Sequence, residues 1–227
     1  VARRGLTAAI EALQLASGAE ARVTNGIRPV TAVLANGGRA EPVEGTWSAT
    51  NEWLVRRLAP DFPALGFVEV RYRVKSWRRL ELCVEDAHAA IAAAVAGGAT
   101  EVVLVGFSMG GAVCVSTAAE PSVTTVVGLA PWLPDRLSVE PLGGRRFAVV
   151  HGSLDRALPG VPGVSPELSR RGYERALRVG LASGDYTVLR GALHGAAVRA
   201  PWGLAPLPFA GRWAAFVAAE LERASAA

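Results

Sequence analysis

Lysine, cysteine and histidine are scarce in this chain, and each scarcity removes a class of explanation. Lys75 is the single lysine among 24 lysine and arginine residues. The arginines are scattered, several as pairs such as Arg3-Arg4, Arg56-Arg57, Arg78-Arg79, Arg145-Arg146 and Arg170-Arg171. No basic stripe with interleaved aromatics forms, so the net charge of +4 reads as solvated surface and not as a nucleic-acid footprint. The two cysteines, Cys83 and Cys114, have no metal or redox spacing. In a domain of this length a disulfide between them is unneeded, and they read as reduced core thiols of a cytoplasmic protein. The three histidines, His88, His151 and His194, lack ligand spacing, so neither a metal nor another cofactor is expected.

Long apolar runs are missing too. No stretch reaches the roughly 18 residues of a membrane span, and no membrane partner is expected. The longest weakly polar segment, residues 87–98, contains His88 and reads as a buried alanine-rich helix. Near the N-terminus, Glu11 and Gln14 interrupt what would be the core of a signal peptide.

What is present is a hydrophobic share of 51% against 19% charged in 227 residues, the composition of a compact α/β chain. One domain over residues 1–227 is expected, because repeats and low-complexity linkers are lacking. Residues 6–24 suggest a poor edge hairpin. Strands are expected at residues 29–35, 67–74, in the first half of 101–111, and at 123–129, 146–152 and 186–189, the last being the final strand. Helices are expected at 48–58, capped by Ser48 or Thr50, and at 80–96, 165–179 and 209–223. Such alternation implies a mainly parallel sheet covered on both faces, with ligands bound outside the carboxyl ends of the strands.

The stretch EVVLVGFSMGG, residues 101–111, organises the rest. Its β-branched first half has the length of a strand buried on both faces. The pattern Gly106-Phe107-Ser108-Met109-Gly110 fits G-x-S-x-G, where glycines leave room for a sharp strand-to-helix turn that pushes out a strained serine. Ser108 is the candidate nucleophile, and the Met109 N–H at the helix start is a candidate donor to a developing oxyanion. A serine hydroxyl needs a general base, and that base needs an orienting group. His194, just beyond the expected last strand, and Asp155, just beyond the strand before it, supply them. Asp135, after the preceding strand, is the alternative acid. His151, in the His-Gly that ends its strand, reads as a packed, hydrogen-bonded structural residue.

GFSMGG resembles the nucleophile elbow of the α/β-hydrolases, and the order Ser108, Asp155, His194 resembles that superfamily's Ser…Asp/Glu…His order. The likeness runs from Pro29 to Arg223, and the short connection at 130–141 makes it most similar to small, lidless esterases of the dienelactone-hydrolase-like branch. This implies a doubly wound, mainly parallel sheet with minimal or no lid. It also implies a second oxyanion donor, the Gly38 N–H. The chain departs from the family at Asn36-Gly37-Gly38, where His-Gly-x is common. The Asn36 side chain is expected to replace the histidine's structural hydrogen bonds, with contact to substrate as the alternative. Trp77, Trp132 and Trp202 are candidate pocket residues and equally candidates for the core. The implied chemistry is hydrolysis of a small or medium ester or thioester through an acyl-enzyme. The alternatives are acyl transfer or elimination on a specialised metabolite, and a non-catalytic binding module. A homodimer is compatible with the sequence.

Overall fold

The computed structural model describes residues 10–156 and 163–226. The chain opens with β1 (Ile10–Gln14), β2 (Glu20–Thr24), β3 (Val30–Ala35), β4 (Val43–Glu44) and helix α1 (Ala49–Leu58). Next come β5 (Gly66–Arg71), β6 (Val74–Lys75), α2 (Leu80–Ala96), β7 (Glu101–Phe107), α3 (Met109–Thr117) and β8 (Val123–Leu129). The last part holds β9 (Arg146–Gly152), α4 (Pro166–Leu177), β10 (Ser183–Leu189), β11 (Ala197–Ala200), β12 (Gly203–Pro206) and α5 (Ala210–Ser225).

Eight strands form the central sheet in the order β1-β2-β5-β3-β7-β8-β9-β10. The pairs β1/β2 and β2/β5 are antiparallel, and every other pair is parallel. Burial on both faces explains the unbroken apolar runs, since side chains alternate across a strand. In β7, Val102 and Leu104 face a layer with Ile91 of α2, Val113 of α3 and Tyr173 of α4. Val103 and Val105 face the opposite layer, with Leu54 and Leu58 of α1 and Trp213 and Leu221 of α5. Ala35 lies beside Gly106, Gly106 beside Gly128, and Gly128 beside Val149, so the parallel strands end at one edge. The loops that follow them therefore gather where α/β sheets bind ligands. The connection from β8 to β9 carries one short 3₁₀ turn, Glu140–Leu142, and no inserted lid.

Three expectations need correction. The alternating run at 67–74 does not continue as one strand. β5 stops at Arg71 because Tyr72 is buried, with its hydroxyl on Asn36 O, and the Arg73 N–H is taken by Asp86 Oδ2 at 2.9 Å. Val74–Lys75 pairs instead with β4. β10 is not the final strand, since β11 and β12 form a hairpin that lies over α1. β10 also starts earlier than residue 186, at Ser183, in parallel register with β9. The edge hairpin, by contrast, is present as β1/β2, residues 6–9 lying outside the described residues. Ser48 caps α1, its Oγ accepting from Asn51 N.

The core depends on large side chains that are wholly enclosed, and Trp213 is among the largest. Trp213→Ala should destabilise the fold by about 3–5 kcal/mol. Urea unfolding would show this as a lower midpoint with little change in slope.

Candidate active site

β7 delivers the chain to Ser108 and α3 begins at the next residue. Ser108 has φ +56° and ψ −120°, a conformation costly for a residue with a side chain. Close backbone approach on all sides enforces it. A Cβ on Gly106 would lie 2.4 Å from Gly110 O, and one on Gly110 would lie 2.3 Å from Ala35 O. These contacts are the physical reason for glycine on both sides of the serine. The Ser108 N–H donates to Leu129 O at 2.9 Å, while Ser108 O accepts from Gly111 N at 2.9 Å and Trp132 N at 2.8 Å. The peptide groups on both sides of the strained residue are thus clamped by β8 and by its own helix.

The loop after β3 closes over the same point. A Cβ on Gly37 would sit 3.3 Å from Ser108 Cβ, and one on Gly38 would sit 2.2 Å from Met109 Sδ. Gly38 therefore packs against the residue that starts α3. Met109 is the first helical residue, so its N–H has no acceptor within the helix. Asn36 is buried, and its Nδ2 donates to Thr46 O at 2.6 Å. Its side chain holds the loop between β3 and α1.

His194 follows β10 on a loop that α1 fastens. Thr50 Oγ1 accepts from Ala196 N and donates to Ala197 O, each at 3.2 Å. The His194 ring packs on Phe107, centroids 4.9 Å apart, which brings the imidazole beside the residue before Ser108. Its Nδ1 donates to Asp155 Oδ2 at 2.6 Å. Among the described residues no hydrogen bond joins His194 to Ser108 Oγ.

Asp155 is 3% exposed and takes three hydrogen bonds. Oδ1 accepts from Val164 N at 3.1 Å, and Oδ2 accepts from His194 Nδ1 and, at 2.9 Å, from His151 Nε2. Burial pushes its pKa up, but hydrogen bonds from the two imidazoles and their charge outweigh burial and leave it below the usual carboxylate range. Asp155 is thus held as an anion against the Nδ1 edge of His194.

A family model described as the alpha/beta hydrolase family matches residues 32–226. The chain belongs to that family. No curated protein sequence matches it. Among solved structures, a dienelactone hydrolase-like promiscuous phosphotriesterase from metagenomic libraries is 19% identical with a TM-score of 0.68, covering 94% of this chain and 96% of its own. An alpha-beta serine hydrolase homologue from Coxiella burnetii is 18% identical with a TM-score of 0.64, covering 96% and 99%. An α/β serine hydrolase without a lid from Xanthomonas campestris is 18% identical with a TM-score of 0.59, covering 84% and 87%. At these identities the likeness is one of fold.

The remaining residues singled out from the sequence of this alpha/beta hydrolase separate clearly. Asp135 is exposed and pairs with Arg175 at 3.0 Å and Arg171 at 3.6 Å, so it is Asp155 that meets His194. Trp77 and Trp132 stack on each other, centroids 6.1 Å apart. The Trp132 backbone bonds Ser108 O, and the Trp77 N–H donates to Arg39 O at 3.0 Å, so the pair spans from the nucleophile turn to the loop after β3. Trp202 lies outside the central sheet, 83% exposed at the β11/β12 turn. His88, on α2, bonds Glu120 at 2.7 Å. Two features escaped the sequence reading. Thr50 acts as the latch of the His194 loop and not as a helix cap, and His151 shares Asp155. The only signal for the latter is the four-residue spacing in His151-Gly-Ser-Leu-Asp155.

The depressed Asp155 pKa stabilises the fold above the carboxyl's unfolded value near 3.8, and that contribution is lost as pH falls through the still lower folded value. Asp155→Asn should therefore be less stable than wild type at pH 7, with the gap narrowing below about pH 4. Urea unfolding of both proteins at pH 7 and pH 3 measures it. Gly110→Val should disrupt the elbow through its contact with Ala35 O, with a loss of several kcal/mol or no folded protein, read by the same method.

Proposed function

We propose that the protein is a serine hydrolase that cleaves a carboxylic ester or thioester of small to medium size through an acyl-enzyme on Ser108. The observation that carries this reading is the 2.6 Å hydrogen bond from His194 Nδ1 to Asp155 Oδ2 beside a strained serine at a helix start. With the proton on Nδ1, a neutral His194 keeps a free lone pair on Nε2. That nitrogen takes the Ser108 hydroxyl proton as Oγ attacks the carbonyl carbon. The negative charge passes to the carbonyl oxygen, which the Met109 and Gly38 N–H groups bind. The intermediate then collapses, the C–O or C–S bond breaks, and the proton on His194 leaves with the alcohol or thiol. Water repeats the sequence on the acyl-enzyme and frees the acid. Asp155 stays ionised and stabilises the imidazolium of both steps. The Ser108–His194 contact closes when substrate orders the site, as catalytic hydrogen bonds commonly tighten on binding.

The short connection between β8 and β9 and the lidless solved relative support a substrate that needs no covering domain. Trp77 and Trp132 supply an apolar wall beside the nucleophile for the acyl or leaving group. The unpaired buried thiols of Cys83 and Cys114 fit a cytoplasmic location.

Ser108→Ala should lower kcat on p-nitrophenyl esters by roughly 10⁴-fold or more with the unfolding midpoint little changed. Asp155→Asn should be severe and Asp135→Asn mild. Steady-state kinetics of the three variants decide the assignment, and near-full activity of Ser108→Ala contradicts it.

A further inference from the structure

The acid of the site is shared by a second histidine that the proposed mechanism does not use. His151, the penultimate residue of β9, is wholly buried and has a partner on each ring nitrogen. Its Nε2 lies 2.9 Å from Asp155 Oδ2 and 2.9 Å from Val164 O. Both are acceptors, so Nε2 carries a proton. Its Nδ1 lies 2.7 Å from Ser169 Oγ on α4, and that oxygen lies 2.8 Å from the Tyr186 hydroxyl on β10. Pro166 O lies 2.9 Å from the Tyr186 hydroxyl and 3.1 Å from Ser169 Oγ. A neutral imidazole accounts for these contacts: the Ser169 O–H donates to Nδ1, Tyr186 donates to Ser169 or Pro166, and Nε2–H is shared between Asp155 Oδ2 and Val164 O. The charged groups around His151 are Asp155 in the loop after β9, His194 across that carboxylate, and Arg170 of α4 over the Tyr186 ring at 4.4 Å.

We propose that His151 is a positioning residue of the active site, a second imidazole on the triad acid that fixes which Asp155 oxygen faces His194 and limits how strongly that oxygen is drawn to it. The proposal rests on the serine hydrolase reading above. A carboxylate on a short side chain can rotate, and Val164 N–H holds only Oδ1. The Nε2–H of His151 holds Oδ2 itself, the oxygen that His194 Nδ1 also meets, so the carboxylate is fixed at both oxygens as it faces the catalytic imidazole. A fixed second donor also withdraws charge from Oδ2. Ser169 and Tyr186 in turn hold His151 in the tautomer that keeps Nε2–H available, so the ordered set runs from β10 through α4 and β9 to the loop after β10.

Two effects should follow when the donor is lost. Misorientation of Asp155 lowers kcat, and the unshared carboxylate stabilises the His194 imidazolium more, moving the acid limb of the kcat/KM profile to higher pH. The experiment measures pH profiles on p-nitrophenyl acetate for wild type, His151→Leu, His151→Gln and Ser169→Ala, with the phosphonylation rate by a fluorophosphonate probe as a second readout. His151→Leu should lower kcat roughly 10- to 100-fold with KM within about 3-fold and with the acid limb raised, the range expected for one hydrogen bond to a charged group. His151→Gln, which restores an N–H near the Nε2 position, should recover most of the rate and the wild-type limb. Ser169→Ala should shift the limb in the same direction by less, and it carries the test with His151→Gln if His151→Leu does not fold. An unmoved acid limb in Leu and Ala variants of these two positions, or a His151→Gln no better than His151→Leu, overturns the proposal and leaves His151 a packing residue. Wild type that neither turns over ester nor takes the probe on Ser108 overturns the serine hydrolase reading, and this proposal with it.

Discussion

A serine forced into φ +56° at the junction of β7 and α3 is the constraint on which the rest of the site depends. That conformation costs of order 1–3 kcal/mol and persists because its surroundings allow nothing else. Gly106 and Gly110 let the strand, the helix start and the end of β3 approach to distances no Cβ would tolerate. The backbone bonds to Leu129 O and from Trp132 N fasten the turn to β8 and the loop after it. The sheet is therefore the clamp, and β7 lies at its centre because both neighbours must be parallel strands ending at the same level.

Charge in the site is arranged around one buried anion. Asp155 has lost its water but gains an amide and two imidazole N–H groups, so it remains ionised where an unsupported carboxylate would take up a proton. The same three donors fix its geometry. His194 is restrained from two further directions, by the Phe107 ring and by the Thr50 latch on its loop. In the chemistry proposed, its Nε2 is the nitrogen that meets Ser108. The acid, the base and the elbow are each held by separate elements.

Much of this was legible in the sequence. Small residues at fixed places around Ser108, after a β-branched run, have few physical explanations other than a tight strand-to-helix turn. Carboxyl ends of strands could be found from apolar periodicity, which placed Asp155 and His194 at one edge. The alternation of Arg71, Tyr72 and Arg73 misled, because a long-range bond from the Arg73 N–H to Asp86 ends the ladder and no local pattern reports it. The β11/β12 hairpin was hidden by Pro201, Gly203 and Pro206, residues poor in strand propensity. Its position over α1 comes from tertiary contacts such as Arg199 with Glu52. The shared Asp155 was unreadable for a similar reason: one histidine reaches it from β9 and the other from the loop after β10, 39 residues away.

The central claim is that Ser108 is an activated nucleophile, and covalent capture tests it without knowledge of the substrate. Intact-protein mass spectrometry after treatment with a fluorophosphonate, followed by peptide mapping, should find one adduct per chain on Ser108, and His194→Ala should abolish it. Folded wild-type protein that takes no adduct, or takes it at another residue, would contradict the account.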